Sequence, residues 1–271
     1  MNDLVFLEAC LLGIIQGVTE FLPVSSDGHL VLAQGYLTAF NQNAMTFDVM
    51  LHFGTLLAVL FYFRRDVCSL LYFLVGKEVQ GNPFPVRSWF WLIIIATIPT
   101  GIIGLILEKT VEPLFDSPTF AAGGIFLNGI LLLSTFMAPK GERQAESLNV
   151  RDAILIGVMQ GFAILPGISR SSNTIATGMF LGIRGDIAAK FSFLISIPAV
   201  TGAVLVKSRE LYGASMTELA PYGVGAAVAL VIGLWAIAFL LRTIMRGKFQ
   251  YFGYYCLMLG GVVLILQKLG V

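Results

Sequence analysis

Between Trp89 and Leu107 the chain carries no charged side chain, and the same holds for Thr119–Met137, Phe191–Val206, Tyr222–Leu241 and Tyr251–Leu266. A further run, Phe47–Phe63, holds only Asp48 and His52 as ionisable groups. These runs approach the roughly 20 apolar residues a helix needs to cross a bilayer. Inside lipid every backbone N–H and C=O must be satisfied within the segment, so such runs fold as helices. They are continuous, unlike the alternating segments of a membrane barrel. Composition agrees: 57% of residues are hydrophobic and 12% charged, against about 25% charged in soluble proteins. The expected fold class is therefore all-α integral membrane. The net charge of +1 gives no case for a nucleic-acid partner. Cys10, Cys68 and Cys256 are isolated and odd in number, which speaks against a disulfide framework or a zinc site. Met1-Asn2-Asp3 offers no basic n-region, so the first helix is expected to stay in the mature protein.

The connecting segments carry the orientation. Arg64–Ser88 holds Arg64, Arg65, Lys77 and Arg87, and Ala138–Asp152 holds Lys140, Arg143 and Arg151. Both are expected in the cytoplasm by the positive-inside rule, as are Arg242, Arg246 and Lys248. The acidic segment Glu108–Pro118 then lies outside, with both termini periplasmic. Lys207, Arg209 and Lys268 fall outside as well, against the rule.

The second half repeats the first at an offset of 144: Gly13, Gln16 and Gly17 fall on Gly157, Gln160 and Gly161, Ser25 on Ser169, and Phe47 on Phe191. Arg65-Asp66 falls on Arg209-Glu210. Leu4–Val18 and His29–Phe40 are too short to span, and a polar break parts them. Each half therefore reads as one re-entrant helix-loop-helix plus three spans. Three is odd, so the halves have opposite orientation: residues 1–137, a cytoplasmic linker at 138–152, and residues 153–271. Such inverted-topology repeats place their sites near the midplane, at the repeat interface. The two re-entrant tips should meet there. The Gly13/Gly17 and Gly157/Gly161 pairs are expected to permit close helix approach at that meeting point.

The tips carry the chemistry. The first is Gln16-Gly-Val-Thr-Glu20-Phe-Leu-Pro23-Val-Ser25-Ser26-Asp27-Gly28-His29, and the second runs from Gln160 through Pro166, Ser169, Arg170, Ser171 and Ser172 to Thr174. Ionisable residues at membrane depth mark functional sites by default. Gln16 and Glu20 share a helix face at i,i+4. Ser26 and His29 are neighbours at i,i+3 if a helix starts near Ser25. Helix N-termini at Ser25–Asp27 and Ser169–Ser172 attract anions, and the Arg170 fork suits phosphate oxygens. Taken singly, Ser25, Ser26, Ser169 and Ser171 read equally well as N-caps, Gln160 as helix-helix glue, and Arg170–Glu20 as a structural ion pair. Asp48 and His52, at i,i+4, could line the same cavity, with accessory or structural roles rated higher. The combination of a base, a hydroxyl nucleophile and a phosphate clamp at two related breaks points to pyrophosphate.

These motifs resemble those of the undecaprenyl pyrophosphate phosphatase family, whose members confer bacitracin resistance. The resemblance rests on Gln16 through Glu20, on Ser25-Ser26-Asp27-Gly28-His29 and on Pro166 through Thr174, and it runs nearly end to end. Two positions depart: Gln16 stands where the family often has Glu, and Asp27 where a small hydroxyl residue is common. The resemblance implies a multi-pass hydrolase of the bacterial inner membrane. It would cut undecaprenyl pyrophosphate to the monophosphate carrier for peptidoglycan precursors, with help from Mg²⁺ or Ca²⁺. The residues to carry this are Glu20, Ser26, His29 and Arg170 for catalysis and Gln16, Ser25, Ser169, Ser171 and Thr174 for substrate binding, with Glu20 also the candidate metal ligand. Ser26 could attack, activated by His29 or Glu20, or Glu20 could activate water; the sequence leaves both open. The topology points the Glu20 tip to the periplasm, and the partners are a long-chain prenyl pyrophosphate and membrane lipid, with room for a homodimer. A secondary transporter or flippase of a phosphate-bearing lipid is the competing class, since inverted repeats with broken helices serve transport too. A nucleophilic histidine after the Ser-Arg pair, as in type 2 phosphatidic acid phosphatases, is excluded because the only histidines are His29 and His52.

Overall fold

A computed structural model describes residues 2–35, 37, 44–77, 85–111, 114, 117–207 and 216–270. The sequence-stretch ends at Phe40, Arg209 and Glu210 lie outside these. The described chain is helical, with no strand among the described residues beyond an isolated bridge of Arg143 to Ile183. Two short helices come first, α1 (Asn2–Thr19) and α2 (Ser26–Gln34). Then follow α3 (Ala44–Tyr62), α4 (Arg64–Leu74), α5 (Val86–Val111) and α6 (Pro118–Ser134). The second half gives α7 (Val150–Phe162), α8 (Arg170–Phe180), α9 (Gly185–Lys207), α10 (Met216–Met245) and α11 (Tyr251–Leu269). Among the described residues five helices are long and apolar enough to cross a membrane, namely α5, α6, α9, α10 and α11. A sixth span is counted if α3 and α4, bent by 82° at Phe63, are taken together. Apolar side chains left uncovered on these helices, such as Ile98, Ile102 and Leu105 on α5, suit contact with lipid.

The connecting segment 64–88 contains a helix, α4, that the sequence reading did not assign. Its start carries Arg64, Arg65 and Asp66, while Leu71, Tyr72 and Leu74 stand exposed. A short helix of that make-up, turned sharply off a span, suits the membrane–water boundary.

The basic segments gather at one end of the molecule. Trp89 at the start of α5 donates its indole N–H to Ala145 O at 2.9 Å. Lys190 near the start of α9 pairs with Asp66 of α4 at 2.8 Å. Arg143 holds Asp152 in the first turn of α7 at 2.5 Å and the Leu181 carbonyl just past α8 at 3.0 Å. Its buried carboxylate partner raises the Arg143 pKa, so this link keeps its charge. The start of α7 and the end of α8 are thus tied together through Arg143. A Cβ on Gly185 would touch Ile244, which brings the end of α10 to the same place.

The core lies between the halves. Phe21 of the first break meets Phe193 of α9 edge-on at 5.7 Å, and Phe193 also meets Phe63 at 5.7 Å. Trp89 and Phe191 form a T-shaped pair at 5.2 Å. Helix α1 packs on α10, α7 on α5, α6 on α11 and α3 on α9, so partners come from opposite halves. The glycine pairs serve these packings and not the meeting of the tips. A Cβ on Gly13 would sit 2.6 Å from Gly225 O on α10, and one on Gly157 would sit 2.2 Å from Ala96 O on α5. Close approach is needed there because α1 and α7 are short and must pass flush along full spans.

Candidate active site

Helix α1 stops at Thr19 because Pro23 brings no N–H to continue it. The chain turns through residues 20–24 and reaches Ser25, whose φ of 73° is the one positive value on a non-glycine among the described residues. Held strain of this kind, on the order of 1–3 kcal/mol, clusters at functional sites. The turn sets Ser25 Oγ to accept from Gly28 N at 3.3 Å, capping α2, and leaves Ser26 as the first residue of that helix.

Glu20 gathers the site. Ser26 Oγ donates to Glu20 Oε2 at 2.6 Å, and Gln16 Nε2 donates to the same oxygen at 3.1 Å. Arg170, the first residue of α8, places Nη2 against Glu20 Oε1 from the other half of the chain. Glu20 and Ser26 are buried, and the Arg170 side chain is 19% exposed. A carboxylate, a hydroxyl and a guanidinium therefore converge, as the two-tip reading expects.

Further bonds lock the tips together. Ser172 Oγ donates to Pro23 O at 2.8 Å and Ser171 Oγ to Leu22 O at 3.4 Å. Asn128 of α6 adds a bond to Pro23 O at 2.8 Å. Gly167, at φ 84°, lies so close to α6 that a Cβ there would meet Ala121 O at 2.0 Å, so only glycine fits this second tip.

Other residues marked in the sequence have different neighbours. Ser169 caps α8 by accepting from Ser172 N at 3.2 Å and lies 3.1 Å from Ser171 Oγ. Thr174 Oγ1 donates to Arg170 O at 2.8 Å and sits 2.5 Å from Ser192 Oγ of α9, so it faces away from Glu20. Gln160 is helix glue as weighed, donating to Thr100 Oγ1 at 3.2 Å and to Ile195 O at 3.4 Å. His29 Nδ1 donates to Ser25 O at 2.7 Å, and its Nε2 lies 2.8 Å from Tyr255 Oη of α11. Both ring nitrogens are thus engaged away from Ser26 Oγ.

The residue the sequence undervalued is His52 of α3. Its Nε2 stands 3.6 Å from Glu20 Oε2 and 3.4 Å from Asp27 Oδ1. The signal existed: an imidazole and an acid in an otherwise apolar run. Asn128 was legible in the same way, as an amide within the run Thr119–Met137. Tyr255 had no such mark, because a tyrosine near a helix start also fits an interfacial belt.

A family model described as bacitracin resistance protein BacA matches residues 9–262. The chain is 42% identical over 260 residues to a protein named undecaprenyl-diphosphatase from Syntrophotalea carbinolica, covering 95% of this chain and 97% of that one. A protein of the same name from Methanobrevibacter smithii is 38% identical over 269 residues, covering 95% and 96%. One from Geobacter sulfurreducens is 41% identical over 262 residues, covering 95% and 97%. A match of this length, at this identity and including both tips, shows that the chain belongs to the BacA family.

Proposed function

We propose that this protein is an undecaprenyl-diphosphatase: a membrane hydrolase that converts undecaprenyl pyrophosphate to undecaprenyl phosphate and phosphate. That reaction recycles the lipid carrier for peptidoglycan synthesis and gives bacitracin resistance. The observation that carries the reading is the convergence of Ser26 and Arg170 on one buried carboxylate, Glu20. A carrier needs an anion site, but it has no use for a hydroxyl bonded to a base.

The geometry favours Ser26 as nucleophile with Glu20 as its base. Ser26 Oγ attacks the terminal phosphorus while its proton passes along the 2.6 Å bond to Glu20 Oε2. The bond from that phosphorus to the bridging oxygen breaks, and lipid monophosphate leaves. Water then hydrolyses the phosphoserine, returning the hydroxyl to Ser26 and releasing phosphate. Arg170 holds non-bridging oxygens and offsets the charge that builds on them. His29, fixed between Ser25 O and Tyr255, orients the first turn of α2 that bears Ser26.

A divalent cation, Mg²⁺ or Ca²⁺, belongs to this proposal. Gln16 Oε1 is buried with no hydrogen-bond partner, on the helix face of Glu20, and both are the hard oxygen donors such ions take. Among the described residues no group of three or more His, Cys, Asp or Glu side chains is arranged for a metal. Glu20 and Gln16 would therefore hold it together with substrate phosphates, as Mg²⁺ sites resting on one or two carboxylates do. The cation would neutralise phosphate charge.

The reading includes an inverted repeat of two re-entrant pairs and three spans per half, placed in the bacterial inner membrane with the active site toward the periplasm. The cross-half packing of α1 with α10 and α7 with α5 supports the repeat. The gathering of basic segments at one end supports the orientation. Cysteine labelling in spheroplasts is expected to find Arg87, Lys140 and Gly247 positions protected in the cytoplasm and the Ser117 position accessible from the periplasm. A cytoplasmic Ser117 would sink the inverted arrangement.

The activity itself is tested with purified protein in detergent, by resolving lipid and inorganic products from undecaprenyl pyrophosphate. The expected products are lipid monophosphate and phosphate in equal amounts. Tight binding with no cleavage would leave the flippase class.

A further inference from the structure

The turn that presents Ser26 is held from outside as well as from within. Inside it, Val24 N donates to Leu22 O at 2.7 Å across Pro23, and His29 N donates back to Ser25 O at 3.2 Å. Ser25 keeps its φ of 73° between these bonds. Such a backbone persists only where its surroundings over-determine it. Two side chains from distant helices supply that restraint, one on each side of Ser26.

Before Ser26, Pro23 O accepts from Asn128 Nδ2 at 2.8 Å and from Ser172 Oγ at 2.8 Å, which fills both carbonyl lone pairs. Asn128 is 2% exposed, and its Nδ2 also reaches Cys256 Sγ of α11 at 3.5 Å. After Ser26, His29 Nδ1 donates to Ser25 O at 2.7 Å, while Nε2 meets Tyr255 Oη at 2.8 Å with the rings stacked 5.8 Å apart. A phenol hydroxyl both donates and accepts, so it serves either state of that nitrogen. Pro23 and His29 stand three residues before and three after Ser26.

Asn128 and Tyr255 belong to one tightly packed pair of helices, α6 and α11. A Cβ on Gly129 would sit 2.9 Å from Gly253 O, and one on Gly260 would sit 2.7 Å from Ala122 O. Backbones this close have little room to slide. The turn that bears Ser26 is thus bracketed on a single platform, whereas Arg170 is carried by α8.

We propose that Asn128 and Tyr255 are positioning residues: they fix the Pro23–His29 turn on α6 and α11 so that Ser26 Oγ keeps its bond to Glu20 and its place for attack. This rests on the hydrolase reading above and deepens it. Both side chains act through the turn and not on phosphorus or its oxygens.

The test compares Tyr255→Phe and Asn128→Leu in the full chain, with kcat and KM for phosphate release from undecaprenyl pyrophosphate and melting temperature in detergent. Tyr255→Phe keeps the ring against His29 and removes one hydroxyl from a residue 41% exposed, so melting temperature should hardly change. Its kcat should fall about three- to tenfold while KM stays within about twofold, because Arg170 still grips the substrate and a misplaced reacting group costs turnover. Asn128→Leu is close in volume and loses a buried donor. Its kcat should fall about tenfold or more, again with KM held, and its melting temperature should drop. Thr100→Val is the control: it removes a bond to Gly157 O at 2.9 Å between α5 and α7, and should lower melting temperature with kcat retained. Wild-type kcat in Tyr255→Phe, a rise in KM in place of the fall in kcat, or a kcat in Thr100→Val that falls as far as in Asn128→Leu would overturn the proposal. Should Asn128→Leu not fold, Tyr255→Phe decides alone. A wild-type protein that releases no phosphate is a different outcome: it overturns the hydrolase reading before any variant is compared.

Discussion

Arg170→Lys should fold and lose about 10²-fold or more in turnover, the loss typical of removing a preorganised charge-stabilising donor. Arg170 opens α8 and sends Nη2 to Glu20 Oε1, its one side-chain pairing among the described residues. The rest of the fork is available to oxygens of a phosphate. Lysine keeps the charge and can keep the pairing with Glu20, so the tips should stay joined. It loses the planar array that grips two oxygens at once. A purely structural ion pair forecasts the reverse, with lysine restoring most activity. Phosphate release and melting temperature measured on the one variant separate the two. Arg170→Ala should be inactive and bind substrate more weakly.

Glu20→Gln should lose on the order of 10²-fold or more in turnover, since a side chain that takes up a proton in the rate-determining step contributes about that much. The change is nearly isosteric. Ser26 Oγ and Gln16 Nε2, now bonded to Glu20 Oε2, can still find an amide oxygen there. Expression should therefore stay close to that of wild type. Arg170 loses its ionic partner, so a modest fall in melting temperature is expected alongside the kinetic loss. Near-normal turnover would remove Glu20 from the chemical step.

Much of this architecture was legible because lipid is a strict solvent. An unbroken apolar run such as Tyr222–Leu241 has one stable fold there, and α10 forms over it with extra turns at each end. The meeting of the tips was legible for a related reason. Glu20 and Arg170 are both expensive at membrane depth, and each needs a partner the other can be. What escaped the sequence is what depends on azimuth. Gly13 and Gly17 show that something passes close to α1, but whether the neighbour is the second tip or α10 is a matter of helix rotation. His52 sits on the face of α3 that looks into the site, a fact the run Phe47–Phe63 does not disclose, since almost every other face is equally apolar. Helix α4 was hidden by its charges. Arg64, Arg65 and Asp66 marked a connecting segment, although Val67, Leu70, Leu71 and Leu74 repeat at helical spacing.

The claim that the two tips form one catalytic unit meets its most direct test in the double variant Glu20→Gln/Arg170→Lys, compared with each single variant by phosphate release under saturating substrate. Groups that act as one unit are strongly non-additive. The double variant should therefore be slower than the weaker single variant by no more than about threefold. A double variant whose loss equals the product of the two single losses would mean that Glu20 and Arg170 work independently, and would contradict a shared centre at the junction of the tips.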